Sequence, residues 1–148
     1  KESSAASDVY KRQLLDILNK VDGKTEKNII SFLENKNSIL ADKVKSSMFA
    51  FEDIVTLDSI SIQRILKEVN LKDIAIALKG GDDKILQIIL NNQSNRASEV
   101  LKEEINLLGP LKLSQIDESK RNIVKIVRKL EQEGLISLEN EPEDELIV

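Results

Sequence analysis

The sequence predicts an all-α fold, and three features of its composition and pattern support that class. Two prolines and five glycines in 148 residues leave few positions that would interrupt a helix. Aromatic residues make up only 3% of the chain, so Leu, Ile and Val must fill the core. Apolar residues recur at three- and four-residue spacings, and Asp, Asn or Ser stands where most of these segments start, as helix caps do.

The first part of the chain predicts three short helices, over residues 9–21, 25–34 and 39–47. Residues 1–7 are polar and are expected to fray, and 35–37 are expected to form a loop before a cap at Ser38. Three helices in about 45 residues cannot bury all their apolar faces against one another. The pattern therefore favours an armadillo-type helical stack, with an apolar groove left open for a partner.

The rest of the chain predicts a run of closely connected helices. Candidate N-caps stand before successive apolar segments at Asp58, Asn70, Asp82 and Ser94. Ser114 is expected to open the longest helix, and Gly134 to end it. The acidic residues of 139–148 predict a solvated tail.

The helix expected over residues 94–106 has two contrasting sides. Its predicted apolar stripe comprises Ala97, Val100, Leu101, Ile105 and Leu108. The opposite side is polar and comprises Arg96, Glu99, Glu103 and Asn106. Glu104 is directed into the apolar stripe, so it must either reach the edge of the stripe or meet a cation. Gly109 and Pro110 are expected to end the helix.

The composition argues against covalent chemistry. The chain has no histidine and no cysteine, which excludes Ser-His-Asp and Cys-His catalysis and zinc sites built on those ligands. The acidic pairs Asp82-Asp83 and Glu103-Glu104 lack the surroundings that general acid catalysis needs. Lys79-Gly80-Gly81 lacks the spacing of a phosphate loop and favours a helix end. We therefore expect no enzyme activity, no cofactor, no metal site and no small-molecule substrate.

The charge balance disfavours two classes of partner. A net charge of −4 and a pI of about 5.1 argue against broad binding to nucleic acid or anionic membranes. No apolar run approaches the length of a membrane span. The chain starts at Lys1 with no signal-peptide pattern, which suggests a fragment of a longer protein.

One segment keeps an alternative open, a winged-helix DNA-binding regulator. A basic series precedes a Gly-containing segment at 130–136, as in a recognition helix that leads into a wing. This series comprises Arg121, Lys125, Arg128 and Lys129. An ordinary amphipathic helix supported by charge pairs explains the same pattern, and the acidic chain favours that explanation.

Several motifs in one order resemble the C-terminal region of the flagellar motor switch protein FliG family. They are Met48-Phe49-Ala50-Phe51-Glu52-Asp53, the segments 61–69 and 77–80, Ser94-Asn95-Arg96-Ala97, and the segment 108–114. The resemblance covers nearly the whole chain after the first few residues. It implies a C-terminal armadillo unit at 1–47, a hinge at 48–51, a six-helix domain at 52–138 and an acidic tail at 139–148.

The resemblance also implies a role in the rotor and switch of the bacterial flagellar motor. The hinge residues would be Met48, Phe49, Ala50 and Phe51. The predicted stator-binding residues are Lys79, Arg96, Glu103, Glu104 and Lys112. The implied partners are the stator subunit MotA, the switch protein FliM and neighbouring FliG subunits. The implied location is cytoplasmic, at the inner face of the cell membrane in the flagellar basal body.

Overall fold

The protein is all-α over the part of the chain that its structure, a computed structural model, describes. Residues 2–138 are described, with side chains from residue 9 onward, and that range contains no strand. The helices are α1 (Glu2–Leu18), α2 (Gly23–Lys36), α3 (Ser38–Ser47), a 3₁₀ helix (Phe51–Thr56), α4 (Ser59–Glu68), α5 (Leu71–Lys79), α6 (Asp83–Asn91), α7 (Asn95–Leu107) and α8 (Leu113–Gln132). Within the described range, every helix is too short or too polar to cross a lipid bilayer.

The chain divides into two compact units, Lys1–Phe49 and Ala50–Val148. In the first unit, α3 packs against both α1 and α2. The buried apolar side chains described for this unit are Leu18, Ala41 and Val44. Lys45 and Glu34 form an ion pair of 2.5 Å between α3 and α2, with both side chains largely exposed. A small core thus holds three helices together.

Much of the apolar surface of the first unit remains exposed. α2 contains no buried residue at all. Phe32 on α2 is 61% exposed, and Ile39 on α3 is 70% exposed. Val9, Tyr10 and Ile17 on α1 are exposed as well. This unit therefore has the unsatisfied apolar surface expected of one module of a helical stack.

The second unit is organised around α5. Every residue from Ile74 to Leu78 is buried, because α5 packs against both α7 and α8. A helix that is apolar on nearly all sides belongs in the centre of a domain. α8 also contacts α4 and the 3₁₀ helix, which in turn contacts α6. With the 3₁₀ helix, the described part of this unit has six helical elements.

Hydrogen bonds and one backbone torsion confirm several predicted helix ends. The Asn70 side chain accepts from the amide of Lys72 at 2.8 Å, and Asp82 accepts from the amide of Lys84 at 3.1 Å. Gly134 has φ +77°, a left-handed conformation that glycine adopts without strain. The helix caps are therefore local features that the sequence determines.

One predicted cap and one predicted helix start are wrong, and a second predicted cap has the right position but no side-chain bond. Asn37, and not Ser38, caps α3 by accepting from the amide of Leu40 at 3.1 Å. Asp58 precedes α4, but its side chain makes no cap hydrogen bond. α8 begins at Leu113, before the predicted opening at Ser114, and Gln115 supplies its side-chain bond to the backbone.

The first helices are also longer than predicted. α1 already begins at Glu2, although residues 1–7 were expected to fray. α2 continues to Lys36 through most of the predicted loop at 35–37. Since Asn37 caps the next helix directly, one residue is enough to separate α2 from α3. The predicted tail at 139–148 lies outside the described residues.

Candidate functional site

The helix α7 presents an exposed charged face. Arg96, Glu99, Glu103 and Asn106, here called the α7 ridge, are all exposed and line one shallow depression together with Val100 and Lys102. The predicted exposure of Arg96 and Glu103 is confirmed. These two residues are seven positions apart, which places them about 10.5 Å apart along the helix axis. The ridge is thus a row of charges that a partner can reach.

Two features attach α7 to the rest of the unit, and a side-chain cap fixes its start. Leu101 is fully buried. The Ser94 hydroxyl accepts from the amide of Ala97 at 3.1 Å, as the sequence predicts. The Ser98 hydroxyl donates to the carbonyl of Leu90 at 3.0 Å and so ties the start of α7 to α6.

The apolar stripe of α7 is narrower than predicted. Val100 belongs to it by helical spacing but is 45% exposed, because it lies beside the depression that the ridge residues line. Glu104 is half-buried. Within residues 2–138 its carboxylate makes no hydrogen bond or ion pair, so it reaches the edge of the stripe without a cation partner.

Lys79 and Lys112 are associated with different helices, and each lies close to the C-terminal end of α7 in space or in sequence. Lys79 is the last residue of α5, and its Nζ donates to the carbonyl oxygen of Leu108 at 2.9 Å. Lys112 is exposed and occupies the N-cap position of α8. Its amide donates to Oε1 of Gln115 at 2.8 Å. Lys79 therefore contacts the end of α7, whereas Lys112 comes four residues after Leu108 in the chain.

The charges of α7 are arranged against the helix dipole. The N-terminal end of a helix favours acids and the C-terminal end favours bases. In α7 the first turn contains Arg96 and no acid, whereas the last turn contains Glu104 and no base. Each exposed charge at the disfavoured end costs about 0.3–1 kcal/mol. Helix stability therefore does not explain why these charges stand where they do.

The predicted hinge residues lie where the chain passes from one unit to the next. The division between the units falls between Phe49 and Ala50. Met48 has extended backbone torsions of φ −80° and ψ 132°, and Ala50 has φ −105° and ψ 156°. Phe51 is buried in the second unit and starts the 3₁₀ helix. The Ala50 amide donates to Oδ2 of Asp53 at 2.9 Å, which fixes that start.

A cation from α8 holds the start of the 3₁₀ helix, and sequence analysis missed it. Nζ of Lys120 lies 2.6 Å from Oε2 of Glu52 and 5.9 Å from the centre of the Phe51 ring. The hydrogen bond from Lys120 lowers the pKa of Glu52, against the opposite effect of partial burial. The residues lie 68 positions apart. No local pattern could have indicated the pair.

A second long-range polar contact joins α5 to α8. The Ser119 hydroxyl donates to Oδ1 of Asp73 at 3.1 Å, and the Asn122 side chain donates to Oδ2 at 3.4 Å. Ser119 is buried, so its hydroxyl needs such a partner. These bonds fix α8 against the central helix and thereby support the helices that carry the candidate site.

The winged-helix alternative does not fit the structure. Arg128, one of the four basic residues that suggested a recognition helix, is 92% covered. Residues 133–138, which are the described residues after α8, form no strand. Lys120 in the same helix is engaged with Glu52. The long amphipathic helix is thus a structural element of the second unit.

Comparisons with known proteins agree with the resemblance seen in the sequence. The family model described as the FliG C-terminal domain matches residues 31–138. The flagellar motor switch protein FliG of Thermotoga maritima is 41% identical over 133 residues, which are 90% of this chain and 40% of the relative. The FliG of Bacillus subtilis is 42% identical over 135 residues, 91% of this chain and 40% of the relative.

Solved structures give the same result. A crystal structure of FliG from H. pylori has a TM-score of 0.75 and 37% identity, covering 85% of this chain and 59% of that one. Full-length FliG from Aquifex aeolicus has a TM-score of 0.59 and 33% identity, covering 89% and 43%. The chain spans about 40% of the length of the curated relatives quoted above. Since the family model covers most of the chain, the chain belongs to the FliG C-terminal domain family.

Proposed function

We propose that this chain is part of a rotor and switch component of the bacterial flagellar motor, and that the α7 ridge meets the stator. The observation that carries the proposal is the charge arrangement of α7. Arg96 stands in its first turn and Glu104 in its last, each at the end where the helix dipole disfavours it. A function outside the helix accounts for that arrangement better than folding does.

The proposed stator contact involves Lys79, Arg96, Glu103, Glu104 and Lys112. The partner is the stator subunit MotA, with a cytoplasmic loop of complementary charge. Exposed ion pairs each contribute only about 0–1 kcal/mol and are screened by salt. Such weak contacts form and release quickly, which suits a surface that a stator pushes past repeatedly. Charge complementarity also favours the correct register between two moving surfaces.

The exposed apolar face of the first unit supports a second proposed partner. Phe32 and Ile39 are largely exposed, and α2 buries none of its residues. An armadillo unit of a neighbouring FliG subunit would cover this face. The switch protein FliM is a further proposed partner, based on the family resemblance. Assembly with these proteins would place the chain at the cytoplasmic face of the membrane in the flagellar basal body.

We also propose that residues 48–51 are the hinge that reverses rotation. Phe51 is held in the second unit by burial and by Lys120, so Met48, Phe49 and Ala50 would absorb the change in backbone torsions. The chain has no cysteine, so a pair introduced on either side of residues 48–51 would form a single disulfide. Oxidation should hold the motors in one direction and reduction should restore reversal. Motors that reverse normally while crosslinked would exclude this hinge.

The stator proposal is tested by reversing two charges together. Arg96→Glu with Glu103→Lys keeps the net charge but inverts the order of signs along the ridge. Each single reversal should slow swimming modestly, and the double reversal should slow it more. Reversing the complementary charges on the stator loop should restore part of the speed.

A matched control is available on α4. Arg64→Glu with Glu68→Lys makes the same kind of exchange at two exposed positions outside the ridge. This control should swim normally. If the Arg96 and Glu103 double reversal also swims normally, the α7 ridge does not carry the stator contact.

A further inference from the structure

The C-terminal end of α7 carries negative charge that no basic residue in its own last turn offsets. The last carbonyl groups of any helix lack partners within the helix and carry partial negative charge. In α7 the last turn provides no basic residue. Glu104 lies within that turn and Glu103 immediately precedes it, so two carboxylates add to the same negative end. The two acids of the proposed stator contact thus lie at the end of α7 that a cation would stabilise.

Lys79 of the neighbouring helix supplies the missing cation. Its Nζ donates to the carbonyl oxygen of Leu108, the C-cap residue of α7, at 2.9 Å. The amide of Leu108 donates back to the carbonyl of Ile105 at 3.2 Å, so the cation acts directly on the closing turn. α5 packs against α7, and the α5 residues just before Lys79 are buried. The ammonium group therefore extends from a rigid support.

We infer that Lys79 is a positioning residue, which holds the C-terminal turn of α7 so that Glu103 and Glu104 are presented at a fixed place. This inference deepens the proposed stator contact and depends on it for its biological meaning. It changes the role of one of the five predicted stator-binding residues. Lys79 acts on the stator through the placement of α7, because its ammonium group is bonded to the end of that helix.

The first experiment measures fraying directly, without a stator. Amide hydrogen exchange is followed at residues 105–108 in the 148-residue chain. Lys79→Met removes the donor but keeps the length and helix propensity of the side chain. Exchange at these amides should become roughly two- to fivefold faster. Lys79→Arg keeps a cationic donor and should exchange like the parent chain.

Lys72→Met is the matched control for this measurement. Lys72 is an exposed residue of the same helix, seven positions earlier, and its side chain makes no bond that the structure describes within residues 2–138. Its substitution should leave exchange at 105–108 unchanged. If Lys79→Met also leaves that exchange unchanged, Lys79 does not position α7.

The second experiment restores the cation from within α7. Asn106→Lys places a base in the last turn at an exposed position. In the Lys79→Met background it should return exchange at 105–108 to the parent rate, and in the parent background it should have a smaller effect. Asn106→Gln controls for the gain in helix propensity without charge. Equal effects of Asn106→Lys in both backgrounds would contradict the inference.

Swimming assays separate this inference from the stator proposal. A positioning role predicts that Lys79→Arg swims normally, that Lys79→Met swims slowly, and that no stator charge reversal rescues Lys79→Glu. Rescue by a stator reversal would instead make Lys79 a contact residue and overturn the inference. If the Arg96 and Glu103 double reversal swims normally while Lys79→Met still frays α7, the stator proposal fails and the structural role of Lys79 stands.

Discussion

The two units of this chain bury different shares of their apolar residues. The first unit buries Leu18, Ala41 and Val44 but leaves Phe32 and Ile39 in solvent. The second unit encloses all of Ile74–Leu78 between neighbouring helices. The second unit also exposes Ile60, Leu107 and Leu113, so the two units differ in the size of their buried cores and not in whether apolar side chains reach the surface. The small core of the first unit is consistent with the proposal that a partner covers part of its surface.

The largest expected effect that tests this comparison is a truncation in the core of the second unit. Ile89 on α6 is fully buried, and Ile89→Ala should destabilise that unit by about 2–5 kcal/mol, because a cavity replaces the lost methyl groups. Hydrogen exchange of the slowest amides of α5 would measure the change. The two units need not unfold together, so this local readout is preferable to a single melting temperature.

Ile39→Ala is the matched substitution in the first unit. The residue is 70% exposed, so its truncation should change stability by no more than about 0.5 kcal/mol. If the exposed face serves assembly, the same substitution should weaken association with a second armadillo unit in sedimentation experiments. A large loss of stability from Ile39→Ala would instead show that this side chain belongs to a core of the isolated unit.

A modest effect distinguishes the ion pairs of the two units. Lys120→Met removes both the Glu52 ion pair and the contact with the Phe51 ring, whereas Lys45→Met removes only the exposed pair with Glu34. Urea unfolding should show a loss of about 1 kcal/mol or less for Lys120→Met. Lys45→Met should show no measurable loss. Equal losses would mean that the Phe51 contact contributes nothing.

The Glu52 pair also predicts a dependence on pH. Because the folded pKa of Glu52 lies below its ordinary value of 4.5, the folded state binds the proton more weakly than the unfolded state does. The stabilisation is therefore present above pH 4.5 and is lost as pH falls through the lowered folded pKa. Lys120→Met should remove this part of the acid dependence. An unchanged acid profile in that variant would contradict the assignment.

The last comparison concerns the ridge itself. The Arg96→Glu and Glu103→Lys exchange moves an acid to the start of α7 and a base towards its end, so each change suits the helix dipole. The free energy of unfolding should stay the same or rise by about 0.3–1 kcal/mol per charge. A variant that swims poorly yet is no less stable would separate function from folding. A less stable variant would show that the ridge charges are structural.

The sequence alone determined the all-α class, the family and most of the local helix signals. Asn70, Asp82 and Ser94 were identified as caps because a cap bonds to amides two or three residues ahead. Exposure of Arg96 and Glu103 followed from helical geometry, which fixes the direction of each side chain. These features depend on neighbours within about one helical turn, and the sequence contains those neighbours.

Only the tertiary structure decided which distant groups meet. The Lys79 bond to Leu108 spans 29 positions and the Lys120 pair with Glu52 spans 68, and neither leaves a local pattern. The exposure of Val100 and Ile39 was also unpredictable, because helical spacing gives the direction of a side chain but not how far a neighbouring helix covers it. Those outcomes depend on how the helices pack, and packing sums many weak contacts between residues far apart in the chain.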